Sequence, residues 1–189
     1  MLATKTDIYE EVIIAGFGGQ GIILAGKLLA QAAMLSGMET TYMPSYGAEM
    51  RGGTANSMIV IADNPVASPI VTNPMSLIAM NKASVKKFGP RVKAGGLLVY
   101  NSSLVDEPVA ADGSVDLLAV AADDIAVEMG NIKIANMIML GAYLARRGLF
   151  DIERAAAALP SVLAKRYHKT LPINIKALQR GSQAAKDLK

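Results

Sequence analysis

Residues 12–21 read VIIAGFGGQG, an apolar run that breaks into glycines at 16, 18, 19 and 21. Four consecutive apolar residues predict a parallel strand buried on both faces. The glycines follow the spacing G-x-G-x-x-G, and the next residues, to Leu35, are rich in helix formers, with Gly37 as a stop. Strand, glycine turn and helix are the setting in which such a loop cradles an anion: glycine removes the Cβ, and unpaired N–H groups of the helix point outward. Glu39–Met43 returns as a second strand and completes a βαβ unit.

Working outward, 44–57 (PSYGAEMRGGTANS) reads as a loop and 57–63 as a strand, with a turn at Asn64-Pro65 and a short strand near Pro69–Val71. Further strands are expected at Ser76–Met80, Leu97–Tyr100 and Val115–Val120, and a helix at Lys82–Phe88. The rest reads as helix: Asp123–Met129, Ile132–Arg147, Asp151–Arg166 and Ile173–Lys186. Asp151 suits an N-cap, Pro172 a first turn, and Gly148 a stop after basic Arg146-Arg147. The alternation predicts an α/β fold: a single-domain, Rossmann-like, three-layer α/β/α sandwich over residues 1–189, with a mostly parallel sheet and a helical C-terminal third.

Composition removes several function classes. Hydrophobic residues make up 52% of the chain, but the longest apolar stretch, around Ile134–Ala145, contains Asn136 and falls short of the roughly 20 residues a membrane span needs. The segment MLATKTDIYEEV carries acids and has no apolar core of a secretory signal, so a cytoplasmic protein is expected. There is no cysteine and one histidine, His168, expected at the surface without a catalytic role. Disulfides and thiolate-held clusters are excluded, and no metal site is expected. Few aromatics and no Trp argue against a base-stacking nucleic-acid platform. Charge is uneven: Lys82, Lys86, Lys87, Arg91 and Lys93 occur with no acid among them, 94–130 is acidic and 131–189 basic. The lysine run reads either as a solvated helix or as a surface that attracts an acidic protein.

Dinucleotide binding asks for more than the glycines. The second strand of such a unit ends in an acid that holds the ribose hydroxyls. Here it ends Thr41-Tyr42-Met43-Pro44, its acid Glu39 stands at the wrong end, and no Arg is there for a 2′-phosphate. The readings for Gly16, Gly18, Gly19, Gln20 and Gly21 are therefore NAD, another phosphate or anion, or a tight turn kept for packing. A second loop, Ser45-Tyr46-Gly47-Ala48-Glu49-Met50-Arg51-Gly52-Gly53, falls at the same edge of the expected sheet. Arg51 beside Gly52 and Gly53 offers a charged fork and exposed amides, Glu49 can orient it, and Tyr46 adds a hydroxyl. An internal Glu49–Arg51 pair that stabilises the loop is the equal alternative.

These stretches together, IIAGFGGQGIILAGKLLA and SYGAEMRGGTANS, then SPIV, LIAMN, GGLLVYNSSL and NMIMLGAYL, resemble the gamma subunit of 2-oxoacid:ferredoxin oxidoreductases from about residue 11 to about residue 181. The resemblance is strongest to the 2-oxoglutarate and 2-oxoisovalerate (branched-chain) types. Pyruvate and indolepyruvate enzymes share the domain. It implies a complex that oxidatively decarboxylates a 2-oxoacid to an acyl-CoA and reduces ferredoxin. Thiamine diphosphate with Mg would be held by alpha and beta subunits, and iron–sulfur clusters by the beta subunit or a delta subunit. A chain without cysteine fits such a complex only as a subunit without clusters. It would carry no catalytic residue, be inactive alone, and self-associate as a dimer when isolated, because its partner surface is then bare. Coenzyme A is the implied ligand of the two loops, at Gly16, Gly18, Gly19, Gln20, Gly21, Tyr46, Glu49, Arg51, Gly52 and Gly53. A free-standing NAD-dependent dehydrogenase and a purely structural scaffold are the competing readings.

Overall fold

The computed structural model describes residues 7–46, 54–108 and 113–187. Its frame is a six-stranded sheet of β1 (Tyr9–Phe17), β2 (Glu39–Tyr46), β3 (Thr54–Ala62), β4 (Ser76–Ala79), β5 (Leu97–Asn101) and β6 (Asp116–Val120), in the order β2-β3-β1-β4-β5-β6. Pairings of β1 with β4, β4 with β5 and β5 with β6 are parallel, and only β3 runs against the rest. The apolar run of β1 serves both faces of the sheet. Val12 and Ile14 enter the larger core, under α1 (Ile22–Leu35), α4 (Ala135–Arg147), α5 (Ile152–Val162) and α6 (Leu171–Asp187). Ile13 and Ala15 enter a smaller core on the other face, with Val85 and Phe88 of α2 (Lys82–Phe88). A short helix α3 (Ala122–Glu128) follows β6. None of the helices among the described residues is long and apolar enough to cross a membrane.

The α/β sandwich and its helical last third are as expected, but the first unit is wired differently. β2 does not lie beside β1; the chain turns back after Tyr46, and β3 inserts between them, antiparallel to both. The exchange has a physical reason. Ile59, Val60 and Ile61 of β3 are fully buried, whereas β2 carries Thr40, Thr41 and Pro44. A strand interrupted by proline belongs at an edge, where its missing donor costs no ladder bond. The same pairing extends β2 and β3 into the stretch read as loop. No strand forms near Pro69–Val71 to pair back on 57–63; both edges of β3 are taken, by β2 and β1, and Val71 instead plugs the smaller core.

Smaller departures follow from local chemistry. The helix expected from Ile132 begins with a 3-10 turn and becomes α-helical at Ala135. α5 stops at Val162, just beyond Pro160, and a 3-10 segment, Lys165–Thr170, leads into α6. Asp151 occupies the N-cap of α5, but its side chain makes no capping bond. His168 is half-buried, with Nε2 3.0 Å from the Leu163 carbonyl oxygen.

Helix α4 is buried from Ala135 to Leu144, so α6 must cover it without a gap. Two glycines make that approach. A Cβ on Gly141 would lie 2.0 Å from the Leu178 carbonyl oxygen, and one on Gly181 1.8 Å from that of Ile138. At the end of the sheet away from the glycine turn, α4 is tied to β1 by charge. Arg147 forks onto buried Glu10, which also accepts hydrogen bonds from Ser76 and Tyr143. Burial and then the Glu10 charge raise the Tyr143 hydroxyl well above its ordinary pKa, so it stays a donor.

Arg146 makes a bidentate pair with Asp116 of β6, at 2.7 and 2.8 Å. That bond holds the Asp116 carboxyl below its ordinary pKa, against a smaller opposing effect of burial. A lowered pKa gives stability that is complete above the ordinary carboxylate range and lost as pH falls through the folded value. Both side chains are partly exposed, so the pair is worth less than about 1 kcal/mol. The melting-temperature difference between wild type and Asp116→Asn should be present at neutral pH and shrink as pH falls through and below the ordinary carboxylate range. A difference that persists undiminished in acid would remove this role.

Candidate functional site

The glycine turn joins the carboxyl end of β1 to the first turn of α1, and its glycines do three different jobs. Gly19 and Gly21 have φ of +97° and +73°, where other residues are strained. A Cβ on Gly16 would meet Ile22 Cδ1 at 2.6 Å and Gln20 Oε1 at 2.7 Å, and one on Gly21 would meet Asn136 Nδ2 at 2.3 Å. These two positions are empty of side chain so that the protein's own atoms can fill them. Gly19 looks onto open space, with nothing within 4 Å of its missing Cβ.

Gln20 latches the turn. Its Oε1 accepts from Phe17 N at 2.7 Å and from Asn81 Nδ2 at 2.9 Å. Asn81, just past the end of β4, also caps α2 by accepting from Ser84 N. Asn136, near the start of α4, donates to the Gly21 carbonyl at 3.0 Å. On the other side, Tyr42 and Ser57 donate to the carbonyls of Ile23 and Ile22, and Gly26 lets α1 settle onto Ser57. The first turn of α1 is thus fixed from β2, β3, β4 and α4 at once.

Two hollows flank the turn. One of about 470 Å³ is lined by Gly18, Gly19, Gly21, Ile22–Leu24 and Lys27, with Phe17, Ala55 and Val162 as apolar walls. The first N–H groups of a helix have no carbonyl within it to bond, and those of Ile22, Ile23 and Leu24 meet no acceptor among the described residues, which leaves them available to an anion. The second, about 130 Å³, lies between Gly19, Gln20, Met80, Asp123, Ile132, Lys133 and Ala135. It stands over the β1–β4 boundary. The chain leaves β1 through a helix on one face and β4 through a helix on the other, the switch point at which open α/β sheets bind ligands.

Gly16, Gly18, Gly19, Gln20 and Gly21 therefore converge at one place. The side chain of Tyr46, and Glu49, Arg51, Gly52 and Gly53, lie outside the described residues. Their flanks do not: Tyr46 pairs with Ala55, which pairs with Gly16, and Thr54 pairs with Phe17. Lys27 and Lys133 escaped the sequence reading. Lys27 had a legible signal as the one charged residue of α1; Lys133 had none, since only folding brings it beside Gly19.

The inserted strand also bears on the nucleotide question. Neighbouring strands are about 4.8 Å apart, so the end of β2 stands roughly 10 Å from that of β1, twice the separation in an adjacent pair. The end of β2 is thus one strand too far for a ribose-holding acid, and it carries none.

The sequence profile of the family described as pyruvate ferredoxin/flavodoxin oxidoreductase matches residues 11–184. The ketoisovalerate oxidoreductase subunit VorA of Methanothermobacter thermautotrophicus is 37% identical over 93% of this chain, which spans 36% of that relative's length. The 2-oxoglutarate synthase subunit KorC of Methanocaldococcus jannaschii is 33% identical over 97% of this chain and 98% of its own. Among solved structures, the gamma subunit of a keto/oxoacid ferredoxin oxidoreductase from Geobacter sulfurreducens superposes with a TM-score of 0.79, at 30% identity, over 94% of this chain and 99% of the other. With the glycine turn, the switch-point hollow and the inserted strand in place, the chain belongs to the pyruvate ferredoxin/flavodoxin oxidoreductase family.

Proposed function

We propose that this chain is the gamma-type subunit, one domain over residues 1–189, of a cytoplasmic 2-oxoacid:ferredoxin oxidoreductase. The complex oxidatively decarboxylates 2-oxoglutarate or a branched-chain 2-oxoacid to the acyl-CoA and passes the electrons to ferredoxin. The observation that carries this reading is similarity from end to end to stand-alone subunits of such enzymes. With no cysteine, this chain holds no thiolate-bound cluster. Thiamine diphosphate, Mg and the clusters belong to its alpha, beta and, where present, delta partners.

The chain's own contribution is an anion site for coenzyme A. The free N–H groups of the first turn of α1, the backbone at Gly18 and Gly19, and the Lys27 ammonium suit a phosphate. Gly16 and Gly21 act indirectly, by letting Ile22, Gln20 and Asn136 close the turn. Tyr46, Glu49, Arg51, Gly52 and Gly53 belong to the same site, because the strands around them end beside Phe17.

Native co-purification tests the assembly: the chains that travel with this one should include thiamine- and cluster-binding subunits, and the complex should reduce ferredoxin with one of several 2-oxoacids. A chain that purifies alone and shows a thermal shift with millimolar NAD(H) would instead be a dehydrogenase. For the site, Lys27→Ala and Arg51→Ala in the complex should each raise KM for coenzyme A about tenfold, the loss of one charge-assisted phosphate contact. Neither should change KM for the 2-oxoacid. Unchanged coenzyme A kinetics in both variants, with complex size also unchanged, would leave the chain a scaffold.

A further inference from the structure

Helix α2 carries three lysines, of which Lys87 lies over the Phe88 ring at 5.2 Å from its centroid. Lys82, Lys86 and Lys87 are exposed, and none forms a salt bridge among the described residues. The other two cations of the run are engaged: Arg91 donates to the Thr72 carbonyl and Lys93 pairs with Glu11. Lys86 and Lys87 occupy the last turn, where a positive charge is favourable. Lys82 is the first residue of the helix, at the end with free N–H groups, where a positive charge is unfavourable and an acid would be preferred. Lys82 and Lys86 stand four residues apart, a like-charged pair that repels. Lys82 thus stands against the local electrostatics of the helix on both counts, while Lys86 and Lys87 suit its last turn.

The chemistry of the patch selects its partner. None of the exposed large apolar residues lies on α2, and its one aromatic ring, Phe88, is buried. A membrane-binding helix needs an apolar face, and a single-stranded nucleic acid needs exposed rings. Permanent subunit interfaces are apolar, whereas transient electron-transfer encounters are small, polar and steered by charge. Resting on the function proposed above, we infer that the Lys82–Lys86–Lys87 face of α2 is a transient docking surface for the acidic electron carrier, a ferredoxin. The lysines raise its encounter rate with the complex.

The test uses the assembled complex, wild type against Lys82→Glu/Lys86→Glu/Lys87→Glu. Rates of 2-oxoacid-dependent reduction are measured with a ferredoxin of strongly negative net charge and with methyl viologen, at low and high salt. The charge-reversed complex should show KM for ferredoxin raised about tenfold at low salt, with the viologen rate unchanged and the difference gone at high salt. The triple glutamine variant should show a smaller rise. Ferredoxin KM unchanged at low salt in an intact complex would overturn the inference. So would release of this chain from the complex, with loss of viologen reduction, since the face would then be a permanent interface. A wild-type complex that reduces neither acceptor with any 2-oxoacid overturns the functional reading, and this inference with it.

Discussion

Gly181→Ala should destabilise the chain by about 3 kcal/mol or more and lower its melting temperature by roughly 10 °C. In a free helix the change would help, because alanine is favoured over glycine by about 1 kcal/mol. Here the new methyl would sit 1.8 Å from the Ile138 carbonyl oxygen, which is backbone and cannot rotate away. α6 would have to lift from α4, withdrawing Leu178 and Ala177 from the larger core. Gly141→Ala meets the Leu178 carbonyl at 2.0 Å and should cost a similar amount. Both glycines serve one crossing, so a single separation of the helices relieves both clashes, and the double variant should cost much less than the sum. Gln179→Ala, on the exposed side of α6, is the control and should stay within about 0.5 kcal/mol of wild type. Calorimetry decides; a Gly181→Ala protein as stable as wild type would show that the helices do not touch backbone to backbone.

Arg147→Met should cost about 3–5 kcal/mol, because it leaves the Glu10 carboxylate, 3% exposed, without its cation. Ser76 and Tyr143 still donate to it, but two neutral donors do not replace a forked guanidinium. Glu10→Gln should cost less. The side chain it strands, Arg147, is 24% exposed and can turn its charge toward water. Replacing both partners, as Glu10→Gln/Arg147→Met, should recover much of the loss, since a buried pair exchanged for uncharged groups is often near neutral. The signature is a double-mutant cycle with favourable coupling between the partners, read from chemical denaturation. Additive single costs would mean that the two side chains do not share an interaction.

Periodicity and turn chemistry made most of this fold legible. VIIA announced a strand covered on both faces, Gly148 ended α4, and Lys82–Phe88 is a helix between the residues expected. What stayed hidden was non-local. The place of β3 between β1 and β2 follows from a competition for the interior that Ile59–Ile61 win over Thr40, Thr41 and Pro44, and a motif matched within residues 12–21 carries no record of it. The same holds at the site. Glycines 16, 18, 19 and 21 were visible, but the difference between Gly16 and Gly21, which admit protein atoms, and Gly19, which faces open space, is set by Ile22, Gln20 and Asn136. Asn136 is more than a hundred residues from the turn it braces, and Asn81, the partner of Gln20, lies sixty-one residues from it with nothing in the sequence to join them. Lys133 reaches the switch point solely through the course of the chain after β6.

The meeting of Gly141 with Gly181 also sets a timetable for biosynthesis. α4 leaves the ribosome some forty residues ahead of the helix that covers it. At about 5–20 residues per second, the interval lasts roughly 2–8 s. Through that time the stretch from Ala135 to Leu144, apolar but for Asn136 and buried in the finished fold, has sheet on one side and no cover on the other. A nascent chain arrested before α6 emerges should therefore bind holding chaperones, and the vulnerable step in making this chain is the wait for α6.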